Sequence, residues 1–257
     1  MTEHEDWLDP DIRSLDLTEI EKGGLQVYRN YISAFEDQSL SLFRESVSEY
    51  SIDLNALSKL FESVVVEDLR FLPIICCAYA EEMLKNAFRL SIPDGVPGGK
   101  ESLFGGYGPL STLSGRIRLA FAFDILSMDL VQQIDRLRKL RNEISHSWEM
   151  KSLDELERFV KQKSVYPIEE DLQMRFGQTK KENSNNPHAD FRVRLIWLMG
   201  RLCYEANFYY QAKKAKISPQ RALYEDGGLA SLQTIAKLCI KTTSRVRPNL
   251  RVPGDQC

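Results

Sequence analysis

The sequence predicts an all-α protein, on three observations. Apolar residues recur at three- and four-residue spacing through most of the chain. Helix-opening signals precede several of those runs. No alternating β-branched run is long enough to demand a sheet, since Val64-Val-Val66 is short and embedded in a helical pattern. At 257 residues and 43% hydrophobic, the chain can bury a substantial core. The expected organisation is an N-terminal helical extension over 1–50, a helical-bundle core over 51–216, and a C-terminal helix with a basic tail over 217–257.

Residues 1 to about 16 are acidic, contain Asp9-Pro10 and read as a loose lead-in. Thr18-Glu-Ile-Glu21 has capping-box spacing, but Gly23-Gly24 follows at once, so a helix there is short or begins after the glycines. From Leu25 to about Tyr50, Val27, Tyr31, Phe35, Leu42 and Phe43 give a weaker pattern, that of one broken helix. Residues 54–90 carry the strongest apolar signal, and Pro73 interrupts it. A proline removes a helical hydrogen bond and clashes with the preceding turn, which places a kink or a helix-to-helix break near Phe71.

Ser91 to Pro109 is rich in glycine and proline, lacks helical period and reads as a long loop. Its Gly95-Val-Pro-Gly-Gly-Lys100 segment does not make a phosphate-binding loop. The glycine spacing is one residue short, and Glu101 stands where a hydroxyl should meet magnesium. Helical spacing resumes from Ser111 to Ile125, with Arg116 and Arg118 placed outward. Ser127 is the expected N-cap of the next helix, with Asp129 in its first turn. Ser152-Leu-Asp-Glu155 has capping-box spacing and opens a short helix that ends before Tyr166-Pro167. Residues 176–189 form a polar linker, helix returns from Phe191 to about Lys216, and a last helix covers roughly Gly228 to Thr242. The basic tail, Lys237, Lys241, Arg245, Arg247 and Arg251, suits either a helix C-terminus or a nucleic-acid contact.

Chemistry concentrates in Asp135-Arg-Leu-Arg-Lys-Leu-Arg-Asn-Glu-Ile-Ser-His146. At about 100° per residue, Leu130, Ile134, Leu137, Leu140, Ile144 and Trp148 share one face. Arg138, Asn142, Ser145 and His146 fall opposite, with Arg141 at the border. Cation, amide and imidazole on one face can hold a phosphate and move a proton. The competing reading is a solvated face carrying an Asp135–Lys139 pair. A border arginine needs an anionic partner; Glu82, ahead of Glu81, either holds the arginines of this helix or is solvated and paired with Lys85 and Arg89.

Composition narrows the classes. A net charge of -3 gives no global attraction to nucleic acid, so any such binding rests on a local patch. Cys76, Cys77, Cys203, Cys239 and Cys257 lack CxxC spacing, which with three scattered histidines argues for reduced thiols, no zinc and a cytoplasmic home. The acidic amino terminus lacks a signal-peptide core, no apolar run approaches the roughly 18 residues of a membrane span, and no cofactor is expected.

Arg141-Asn142-x-x-x-His146 resembles the motif of the HEPN superfamily. A longer stretch is similar to the mannitol-repressor family: Gly108-Pro-Leu-Ser111, Ser114, Arg116-Ile117, Ala120, Ile134-Asp135 and Arg138-x-x-Arg141-Asn-Glu-x-x-His146. Together the two resemblances cover about 60–160. In HEPN ribonucleases the resemblance implies metal-independent cleavage of RNA by its own 2′-hydroxyl, in a cleft formed when two domains meet. Carried over, Arg141 neutralises the scissile phosphate, His146 acts as general acid or base, and Asn142 orients one of them. Arg138 and Ser145 add phosphate or RNA contacts, and Glu82 and Asp135 support the arginines. The expected partners are then a second copy of the chain paired through the central helix, RNA, and an antitoxin or regulatory protein, with no membrane. The mannitol-repressor resemblance implies instead a non-enzymatic transcriptional regulator acting through protein contacts, with Arg141 paired to Glu82 or Asp135.

Overall fold

The computed structural model describes residues 7–48, 54–146, 186–214 and 230–247. All secondary structure among them is helical: α1 Pro10–Arg13, α2 Glu19–Ser48, α3 Asn55–Val66, α4 Leu72–Ser91, α5 Lys100–Phe104, α6 Leu113–Ala122, α7 Met128–His146, α8 Pro187–Lys214 and α9 Ala230–Val246. The protein is all-α, and the expected short helix after Ser152 and the contacts of Trp148, Arg251 and Cys257 lie outside the described residues. No helix among them is long and apolar enough to cross a membrane.

The lead-in is ordered from Trp7 onward. Leu8 and Ile12 are buried, and Gln26 accepts the Asp9 backbone N–H at 2.7 Å while donating to the Asp9 carboxylate at 3.1 Å. Arg29 forks onto Asp11 and also reaches Asp9. The capping box forms, with Thr18 N–H and hydroxyl donating to Glu21 at 2.8 and 2.7 Å. The helix it opens then runs unbroken through Gly23-Gly24, contrary to the expected interruption. Each glycine costs about 1 kcal/mol in a helix interior, but the indole of Trp7 packs 3.6 Å from where a Gly23 Cβ would lie, and this cover with the cap offsets the cost.

Pro73 separates α3 from α4 and sits in the first turn of α4, where its missing N–H loses nothing. Arg192 of α8 donates to the carbonyls of Val64 and Glu67, the latter at 2.7 Å, and so satisfies the C-terminal end of α3. The glycine-rich segment after α4 is not purely loop, because it contains α5. Lys100 donates to the Arg89 carbonyl at 3.2 Å, Arg89 pairs with Glu101 at 2.7 Å, and the Arg89 guanidinium stacks over Phe104. Gly108 and Gly115 admit no side chain: a Cβ would lie 2.4 Å from the Leu103 carbonyl oxygen and 2.3 Å from that of Pro109. That close turn delivers the chain to Thr112, whose hydroxyl accepts the Gly115 N–H and caps α6. Asp124 ends α6 in the left-handed region, turning Ile125 and Leu126 into the core.

Helix α8 is the axis of the fold. It touches α2, α3, α4, α7 and α9, and Leu195, Ile196, Leu198, Met199, Leu202 and Tyr204 are buried on every side of it. A helix apolar all round belongs in a core. Ile235, Ala236, Cys239 and Ile240 of α9 join the same apolar cluster as the residues of α3, α4, α6 and α7. Arg245 pairs with Glu62 of α3 and Arg247 with Asp190 of α8, so these two basic residues clamp α9 onto the body.

The N-terminal clamp is acid-sensitive. The hydrogen bond from Arg29 holds the Asp11 carboxyl down to about 2, and Asp9 is lowered by the same arginine. A carboxyl depressed in the folded state adds stability above its unfolded value, about 3.9, and loses it as pH falls through the folded one. The Trp7 indole NMR signal should therefore shift toward its unfolded position as pH drops from about 4 toward 2, and Arg29→Ala should abolish that response.

Candidate functional site

The site is built on α7, which packs against α4 and α6 through Leu130, Ile134, Leu137 and Leu140, all buried as the periodicity requires. Its N-terminus is held by another helix. Ser127 N–H donates to Glu205 Oε2 of α8 at 2.9 Å, and the Ser127 hydroxyl donates to the same carboxylate at 3.1 Å. Glu205 is 2% exposed. Arg201 answers its charge at 2.6 Å, reaches Asp129 at 3.1 Å and donates to the Ser127 hydroxyl. Asp129 also accepts from Gln133 at 2.8 Å. A carboxylate brought from α8 thus occupies the positive end of α7. Burial pulls the Arg201 guanidinium below its ordinary pKa while Glu205 and Asp129 oppose that shift.

Along the polar face, Arg138 Nε and Nη2 contact Asp135 Oδ1 at 2.9 and 2.8 Å, and Lys139 reaches Asp135 Oδ2 at 2.9 Å. Burial raises the Asp135 carboxyl, but Lys139 and Arg138 more than offset it and leave it below its ordinary value. Arg138 is therefore already neutralised. Arg141, half-buried, behaves differently: its Nε and Nη2 donate to the Asn142 side-chain oxygen at 3.3 and 3.1 Å. A neutral amide holds this guanidinium, with no carboxylate in ion-pair distance among the described residues. The Ser145 hydroxyl donates to the Arg141 carbonyl at 2.8 Å, a back-bond within the helix. His146 is the last residue of α7, one turn beyond Asn142; its side chain lies outside the described residues.

Of the two expected supporting acids, Asp135 holds Arg138, and Glu82 is exposed and pairs with neither Arg138 nor Arg141. Its neighbour Glu81 does hold an arginine, but that arginine is Arg116, at 3.3 Å. Arg116 was expected outward and is 5% exposed. Its Nε donates to the Leu110 carbonyl at 2.7 Å and its Nη1 to the Glu81 carbonyl at 2.9 Å, locking the Gly108-Pro109 turn onto α4. The signal was present, since Leu113, Arg116, Ile117 and Ala120 follow the core spacing.

Cys77 of α4 is buried and lies near enough to Arg141 and Arg138 to feel their charge. Burial pushes its thiol up to about 12, and the pull of Arg141 and Arg138 in the other direction does not overcome it. Cys76, Cys77, Cys203 and Cys239 are buried free thiols. Among the described residues no cluster of histidine, cysteine or carboxylate side chains could hold a metal ion.

Comparison with known proteins finds no matching family model, no matching curated protein and no matching solved structure.

Removing a buried ion partner strands the other charge, at about 3–5 kcal/mol. Glu205→Ala should destabilise the chain by that order in urea unfolding, whereas Glu82→Ala should leave the midpoint unchanged.

Proposed function

We propose that the chain is a HEPN-type endoribonuclease, of the kind that serves as a toxin or phage-defence effector, working without metal at a site completed by a second protomer. Arg141 supplies the phosphate contact. The observation that carries this reading is its side-chain environment: Arg116, Arg138 and Arg201 each face a carboxylate, while Arg141 rests on the Asn142 amide. An amide orients a guanidinium without cancelling its charge, so the cation stays available for an anion.

In the proposed reaction the 2′-oxygen of the substrate attacks the adjacent phosphorus and loses its proton to a base. The P–O5′ bond breaks, and the departing 5′-oxygen takes a proton from an acid, leaving a 2′,3′-cyclic phosphate. Arg141 neutralises the non-bridging oxygens as charge builds on them. An ordinary imidazole titrates near neutrality, as a general acid or base requires, so His146 is assigned one proton transfer and a second protomer's histidine the other. Asn142 is a positioning residue that fixes the Arg141 fork, and Arg138, tied to Asp135, contributes less. The reading draws further support from the placement of Arg141, Asn142 and His146 within the last two turns of one helix.

A second reading, a non-enzymatic transcriptional regulator of the mannitol-repressor kind, is favoured by the Arg116 lock. It fastens the Gly108-Pro109 turn, part of the longer resemblance, to the bundle with no need of chemistry.

The deciding experiment is cleavage of a mixed tRNA and single-stranded RNA pool by the purified chain in excess EDTA. Wild-type protein should leave cyclic-phosphate ends. His146→Ala should lower the rate at least roughly a hundredfold, and Arg141→Lys, which lacks the bidentate fork, should lose most of the activity. Both variants should melt with the wild type. Absence of cleavage by the wild type, with melting lowered in either variant, favours the regulator.

A further inference from the structure

Helix α2 carries two stripes, and the fold uses one. Leu25, Gln26, Ile32, Ser39, Leu40 and Phe43 turn toward the body and are buried or half-buried. On the other side, Gly24, Tyr28, Tyr31, Phe35, Gln38 and Leu42 follow each other at spacings of four, three, four, three and four residues, and all six are exposed. That is the seam of a coiled coil, sustained over almost three heptads. Ile20, Val27 and Ala34 widen it on one side and are exposed as well.

We infer that this face is the interface through which two copies of the chain pair, α2 against α2, antiparallel about a two-fold axis near Ser33. Three observations select a second copy as the occupant. The first is charge: none of these nine positions is charged, and Arg29, which lies on the body-facing side, is already tied to Asp9 and Asp11. Between Gly24 and Leu42 an isologous contact sets no like charges against each other; the next positions at this spacing, Glu21 and Glu45, meet at its rim, where water and salt screen them.

The second is register. With the axis near Ser33, each seam residue meets the position whose number completes 66. Tyr31 then lies opposite Phe35 of the other copy, Tyr28 opposite the Gln38 amide, and Leu42 opposite Gly24. The seam pairs large with small at its ends and aromatic with aromatic at its centre. At Gly24 a Cβ would meet nothing within 4 Å, so the space for Leu42 of the other copy is open.

The third is area. Ile20 is 89%, Val27 60%, Tyr28 62% and Tyr31 65% exposed. With Phe35 and Leu42 the stripe offers on the order of 700 Å² per protomer, taking about 150–250 Å² for a large side chain. Full cover of the stripe on both copies removes up to roughly 1,400 Å² from water, within the roughly 1,200–2,000 Å² of a stable interface.

The contact is independent of any chemistry at Arg141, and its test reads association alone. Sedimentation of the full chain across micromolar concentrations should show a reversible dimer. The double variant Tyr31→Glu/Phe35→Glu should weaken it at least about thirtyfold, the effect of losing a hot-spot side chain, with helical circular dichroism and melting unchanged. Should that variant melt early, Tyr31→Ser/Phe35→Ser is read in its place. A wild type that stays monomeric overturns the inference, as does a dimer that survives the substitutions in α2 but falls apart on substitution at the C-terminal end of α7.

Discussion

The buried carboxylate of Glu205 is the contact on which the candidate site depends. It occupies the N-terminal end of α7, accepts the Ser127 amide and hydroxyl, and is balanced by Arg201 one turn earlier on α8. Two charges taken from water are tolerated because each is saturated with hydrogen bonds. The geometric result is that α7 is pinned at its start to the central helix of the bundle. Its far end, where Arg141, Asn142 and His146 lie, is thereby positioned by a rigid element rather than by a loop.

Four arginines show how one residue type is assigned four tasks by its surroundings. Arg116 fastens a turn, Arg192 satisfies helix-end carbonyls, and Arg201 neutralises a buried acid. Arg141 is left with an amide. The first three tasks are structural because their partners are fixed groups of the chain. The same physical argument sets Arg138 apart from Arg141 three residues later, since Asp135 lies within reach of one and not the other.

Much of the fold was legible in the sequence. The Pro73 break, the Thr18 capping box and the buried stripe of α7 are local consequences of proline geometry, hydroxyl–amide bonding and helical period, and all three stand in the structure. Reading Arg116 by its charge placed it outward, whereas its spacing placed it inward. Glu81 and Glu82 are adjacent, so the choice between them turned on the rotation of α4 against α6, a quantity no local pattern encodes. The glycines of α2 and the lead-in misled for a related reason, because the Trp7 ring that covers Gly23 comes from another part of the chain.

The sequence by itself determined the helices, their caps and the apolar faces that drive them together, since each follows from residues within a turn or two of one another. It also singled out Arg141, Asn142 and His146 as candidates through their spacing along one helix. Only the tertiary structure decided which helix is central, which acid answers which arginine and which apolar stripe of α2 is left open. Those outcomes depend on the packing of segments tens of residues apart, where burial, rather than local propensity, sets whether a charge must be paired.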